Sequence, residues 1–157
     1  MKRRILKIVI VLLLVVFVVI QFFQPERNTG EMTSTHIFKT EQIPEGVINT
    51  LKNACMDCHS NQTRYWWYDK LAPASWFVNK HVVKAKKELN FSEWGEQDAY
   101  DKFGSFEDIS KEVERKTMPL KSYKLMHKMA RLTDEETKAL VDWCKKRSEE
   151  LTEELKN

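Results

Sequence analysis

Five consecutive residues, Cys55-Met56-Asp57-Cys58-His59, put two thiols and an imidazole inside one helical turn. Positions i, i+3 and i+4 of a helix share a face, so the three side chains converge on one place. The pattern C-x-x-C-H is that of c-type haem attachment. In that chemistry the thiols bond the two vinyl groups and the imidazole becomes the proximal iron ligand. At this chain's composition the pattern arises by chance about once in a thousand such sequences. The expectation is one covalent haem c held by Cys55 and Cys58, with His59 as iron ligand.

Other uses of paired cysteines compete with that reading. A thiol–disulfide oxidoreductase would place C-x-x-C at the start of a helix after a strand, whereas here helical pattern precedes the motif and no strand signal flanks it. Structural zinc needs four ligands, and the further candidates His81 and Cys144 are scattered. A plain disulfide would have no use for the adjacent histidine. Covalent haem is the leading reading and dithiol chemistry the second.

Residues 8–20 (IVIVLLLVVFVVI) are an uncharged apolar run of 13 residues; widened to 5–23 it reaches 19, broken only by Lys7 and Gln21. As a helix the wider run covers about 28 Å, near the roughly 30 Å hydrocarbon core of a bilayer. Lys2, Arg3, Arg4 and Lys7 precede the bulk of it, which orients the N-terminus to the cytoplasm. A cleaved signal peptide is the alternative, but no Ala-x-Ala follows the run. The sequence therefore predicts a single-pass protein of a bacterial inner membrane with its haem domain in the periplasm. Those four bases account for the formal net charge of +3. The remainder is nearly neutral, which excludes nucleic-acid binding driven by bulk charge.

With four glycines and four prolines in 157 residues, turn-dense β architecture is disfavoured and an all-α fold expected. Three regions follow: a membrane anchor over 1–23, a flexible polar linker over 24–42, and a haem domain over 43–157. Helices are predicted from about 44 to 55, over 75–89, from a Ser105 cap to Met118-Pro119, and over 133–155 behind a Thr133-x-x-Glu136 capping box.

The stretch CMDCHSNQTRYWWYDKLAPASWFVNKHV, followed by ELNFSEW, MPLKSYKLMHKMARLTDEE and DWC, resembles the small haem-binding domain proteins of Bacteroidetes-type bacteria. These are monohaem relatives of cytochrome c with an N-terminal membrane anchor. The resemblance covers about residues 44–145. It implies a cytochrome c-like helical domain around covalently attached haem, an electron-transfer or haem-binding role, and packing of the first domain helix on the last. Cys144 departs from the small or polar residue expected there; on an apolar stripe it reads as a buried inert thiol.

The sixth iron ligand is open. Met118 leads, because Pro119 keeps it out of a helix and a thioether suits an electron carrier; His81, His127 or an open position are the alternatives. His36 lies in the linker with no expected role. The aromatic cluster of Tyr65, Trp66, Trp67, Tyr68, Trp76, Phe77 and Trp94 suits core packing, walling of haem, or both. Arg64, a tyrosine hydroxyl or an indole N–H could meet a haem propionate. Lys80, Lys84, Lys86 and Lys87 read as a solvated face or as a landing surface for an acidic redox partner. The function expected is one-electron transfer, with no substrate-converting constellation visible. Alternatives are a haem-based sensor or peroxidase-like protein with an open sixth site, and a thiol–disulfide oxidoreductase using Cys55 and Cys58.

Overall fold

Apolar residues at helical spacing and few chain-breaking residues make helices of almost every segment. The computed structural model describes residues 1–156, and the one extended pairing among them is a bridge between Thr29 and Gln62. The helices are α1 (Lys2–Ile20), α2 (Ile37–Thr40), α3 (Glu45–Ala54), α4 (Met56–His59), α5 (Ala74–Glu88), α6 (Ala99–Glu114), α7 (Lys121–Met126) and α8 (Asp134–Lys156). Short 3₁₀ turns lie at Trp67–Lys70, Trp94–Glu96 and Lys128–Ala130.

The core sits where α6 and α3 pack on α8, the latter pairing being the one the resemblance implies. Leu51 of α3, Phe106 of α6 and Leu140 and Cys144 of α8 are fully buried. Phe91, Trp94, Phe106 and Trp143 form a chain of ring contacts with centroids 6.0, 4.8 and 5.2 Å apart. Each such side chain contributes about 1.5–3 kcal/mol by leaving water. α8 opens on the predicted capping box: the Glu136 N–H donates to Thr133 Oγ1 at 3.1 Å and the Thr133 N–H to Glu136 Oε2 at 2.9 Å.

Three expectations are corrected. α6 begins at Ala99, because Asp98 caps it by accepting from the Asp101 N–H at 2.8 Å; Ser105 is mid-helix. It ends at Glu114, where Lys116 takes a left-handed φ of 57° and the Thr117 and Met118 N–H groups turn back to the Glu112 carbonyl. That reversal, and not Pro119 alone, lifts Met118 out of the helix.

The second correction concerns residues 24–42. The stretch 28–42 is not a free linker but a strap bound to the domain. Ile37 is fully buried and donates its N–H to the Phe91 carbonyl at 2.9 Å. Asn28 donates to the Ser60 carbonyl and Thr63 Oγ1, and Lys86 donates to Asn28 Oδ1 and Asn61 Oδ1. Lys86 is thereby a tie for the strap and not part of a landing surface. His36, expected to do nothing, is buried and caps α2 by accepting from the Phe38 N–H. Polar composition concealed this because the strap is held by hydrogen bonds together with the adjacent Ile37 and Phe38, too short an apolar run to show a period. At Gly95, whose N–H donates to the Thr35 carbonyl, a Cβ would stand 3.1 Å from the Thr35 backbone.

The third concerns the extent of the N-terminal helix. Among the described residues no helix is long and apolar enough to cross a membrane. α1 stops at Ile20 instead of reaching Phe23, and its first turns carry Lys2, Arg3, Arg4 and Lys7. The uncharged part, residues 8–20, rises only about 20 Å. None of the α1 side chains is buried against the domain.

Candidate functional site

The C-x-x-C-H motif is a turn of its own. Cys55 (φ −121°, ψ −42°) breaks α3, and α4 resumes with the Cys58 and His59 N–H groups both donating to the Cys55 carbonyl, at 3.1 and 3.0 Å. The break lets the motif turn away from the core helix without losing the spacing of its three side chains. Cys55, Cys58 and Cys144 are all free thiols.

His59 is set by α5. Its Nδ1 lies 3.0 Å from the Leu89 carbonyl, and a carbonyl only accepts, so Nδ1 carries the proton and Nε2 keeps its lone pair. Burial lowers the His59 pKa, against the opposing backbone hydrogen bonds, so the ring is neutral at pH 7. This is the state an imidazole needs to bind a metal, with the second-shell carbonyl fixing ring orientation.

Two cavities adjoin the motif. The larger, about 410 Å³, lies between α5 and α7 with Trp66, Tyr68, Phe77 and Met126 on its walls. The smaller, about 240 Å³, is lined by His59, Ala85, Met118 and Leu120 among others. Cys58, His81, Leu120 and Tyr123 line both, so the two form one slot. Its size lies in the range of small-molecule and cofactor sites, about 300–1,000 Å³. Cys55, by contrast, packs against the edge of the core.

A polar network closes one wall. Asp57, buried inside the motif, accepts from Arg64 Nε at 2.8 Å and from the Tyr123 hydroxyl at 2.6 Å. The Tyr68 hydroxyl and His127 Nε2 are hydrogen-bonded at 2.5 Å, and the His127 ring stacks 4.2 Å from Tyr123. Burial holds the His127 pKa below the usual histidine range and pushes the Tyr68 hydroxyl up to about 12. The thiols are displaced the same way. Cys55 is pushed up to about 12 by burial and then by Cys58, and Cys58 to about 11 by burial and then by Asp57 and Asp69.

Of the candidates for the sixth position, Met118 shares the smaller cavity with His59. His81 lines both cavities, and its Nδ1 donates to the Phe77 carbonyl at 2.8 Å, leaving Nε2 free. His127 has its Nε2 engaged by Tyr68. Trp94 is core, whereas Trp66, Tyr68 and Phe77 wall the slot. Sequence reasoning missed the Asp57–Tyr123 and Tyr68–His127 pairs, which lie 66 and 59 residues apart and leave no local signal. It also missed Leu89, whose backbone carbonyl contributes without regard to side chain.

A model of the haem-binding domain family matches residues 15–146. The chain belongs to that family. No curated protein and no solved structure matches the chain. Haem is therefore the ligand to test against the slot, and the donor set fits it. A neutral imidazole with a free Nε2, a thioether and a thiol line one largely aromatic and aliphatic cavity. Aromatic and aliphatic walls exclude water from an iron centre and tune it.

Proposed function

We propose that this haem-binding protein is a membrane-anchored, single-haem c-type cytochrome that carries one electron at a time. The observation that carries the reading is His59, held by the Leu89 carbonyl with Nε2 free beside Cys58 on the slot. Haem, when bound, supplies an iron that cycles between ferrous and ferric. The chain's own residues do the rest. Cys55 and Cys58 would hold the haem through their thiols, His59 Nε2 would bind its iron, and Met118 would supply a second iron ligand. Met–His ligation raises reduction potential. Trp66, Tyr68, Phe77 and Val82 keep water from the cofactor, in a cytochrome c-like arrangement of helices.

The raised thiol pKa values argue against the thiol–disulfide oxidoreductase, which depends on a depressed one. Mass spectrometry of the full chain tests covalency: a haem adduct on the peptide containing Cys55 and Cys58 is expected, and unmodified thiols would defeat the reading. For the axial ligand, the ferric spectrum should show a methionine-to-iron charge-transfer band that Met118→Ala abolishes and His81→Ala leaves intact. The reverse pattern makes His81 the ligand. The Asp57–Arg64–Tyr123 and Tyr68–His127 groups on the wall favour a second reading, a sensor or peroxidase-like site. Immediate cyanide uptake by high-spin ferric protein would select it.

The anchor belongs to the same proposal. α1 exposes an unbroken apolar surface that nothing in the domain covers. We place it in a bacterial inner membrane, with Lys2, Arg3, Arg4 and Lys7 at the cytoplasmic headgroups and the haem domain in the periplasm. Phe22 and Phe23 add exposed apolar side chains just beyond the helix. Lys84 lines the smaller cavity and Lys80 and Lys87 are exposed nearby on α5. They would receive an acidic redox partner at a rate that falls with salt.

A further inference from the structure

α1 does not end in a loose tether. Gln21, the residue after Ile20, hydrogen-bonds the domain twice: its Nε2 donates to the Ala72 carbonyl at 3.0 Å, and the Ala72 N–H donates to its Oε1 at 2.9 Å. Two residues on, the Phe23 carbonyl accepts from the Trp76 indole N–H at 2.6 Å. The chain leaving α1 is thus fastened to Ala72, just past the turn at Trp67–Lys70, and to the start of α5.

A group of large apolar side chains is exposed there. Phe22 is 82% exposed, Trp67 69% and Phe77 56%, with Phe23, Leu71 and Trp76 also exposed. Monomeric soluble proteins rarely leave apolar patches above a few hundred Å² uncovered. The exposed bases Lys70 and Lys80 flank it, Lys80 one helical turn beyond Trp76.

We infer that this patch is a lipid-contacting surface that seats the haem domain on the outer face of the bilayer. The inference rests on the anchoring reading and goes beyond it, since an anchor alone would let the domain stand off the membrane. Lipid is the occupant because the patch is continuous with the end of α1. A chain emerging from hydrocarbon and pinned within three residues keeps Trp67, Trp76 and Phe77 at headgroup depth. Tryptophan is enriched at that depth because its ring is apolar and its N–H polar. Lys70 meets anionic headgroups. Phe77 also walls the larger cavity, so the patch adjoins the haem slot.

The test uses the full, haem-loaded chain in vesicles of phosphatidylethanolamine and phosphatidylglycerol carrying a diazirine either deep in the acyl chain or at the glycerol level. After illumination, labelled peptides are mapped by mass spectrometry. The deep probe should label α1. The shallow probe should label the peptides with Trp67 and Trp76 about tenfold over those of α6 and α8. Trp67→Ser with Leu71→Ser, neither lining the slot, should reduce the shallow label to background with the haem spectrum unchanged. An unlabelled α1 overturns the anchoring reading and this inference with it. A labelled α1 with an unlabelled patch overturns the inference alone, as would occur if a second copy of the chain covered the patch. Shallow labelling that persists in the double variant also overturns it.

Discussion

The two halves of the domain are built on opposite rules. The half made by α3, α6 and α8 is filled to the centre: Leu51, Phe106, Leu140 and Cys144 expose nothing, and the aromatic chain from Phe91 to Trp143 runs through it. The half made by α4, α5 and α7 is hollow, with a slot of about 410 and 240 Å³ at its centre and wall residues such as Leu125 and Met126 left exposed. α7 buries no side chain of its own apart from the flanking His127. The contrast teaches that the filled half carries the stability and the hollow half is completed by what it binds.

The comparison can be broken most forcefully in the core. Phe106→Ala should cost about 3–5 kcal/mol, read from the denaturation midpoint, because it removes a ring that contacts Trp94 and Trp143. The visible spectrum of the folded fraction should not change. A spectral change would mean that the halves are not independent. A smaller effect is expected on the other side: Asp57→Ala strips the partner from the Tyr123 hydroxyl and from Arg64 Nε and should cost about 1–3 kcal/mol. Here the spectrum should shift, since the network forms a wall of the slot.

A further probe is the response to pH. Burial lowers the pKa of His36 in the strap and of His127 in the wall below 6.5. The unfolded chain then binds protons that the folded one refuses, so their contribution is complete above pH 6.5 and is lost as pH falls below it. Cys144 works in the opposite window: burial raises its thiol from 9.0 to about 12. Stability should decline as pH rises from about 9 towards 12. Cys144→Ser should make that alkaline limb shallower, Tyr68 keeping its own share, and leave the acid one, measured by thermal midpoints across the range.

Much of the filled half was legible in advance. Helical pattern placed a helix from about 44 to 55, the capping box marked the start of α8, and Cys144 was placed on a buried apolar stripe. Local rules suffice there because each helix carries its own caps and apolar stripe. The strap was misread because its contacts are polar and distant, as in Asn28 to Ser60 and Thr33 to Ser92. The α6 boundary was misread because Asp98 and Ser105 are both acceptable caps, and only the chain's path chooses between them.

For the site, C-x-x-C-H alone determined the chemistry to expect: two thiols and an imidazole in one turn are a local arrangement, and local arrangements are written in consecutive residues. What only the tertiary structure decided is the state and company of those groups. The Leu89 carbonyl selects the His59 tautomer, the reversal at Lys116 brings Met118 to the same cavity as His59, and Asp57 meets a tyrosine 66 residues away. Each of those depends on which segments fold against each other, and no short-range pattern encodes that choice.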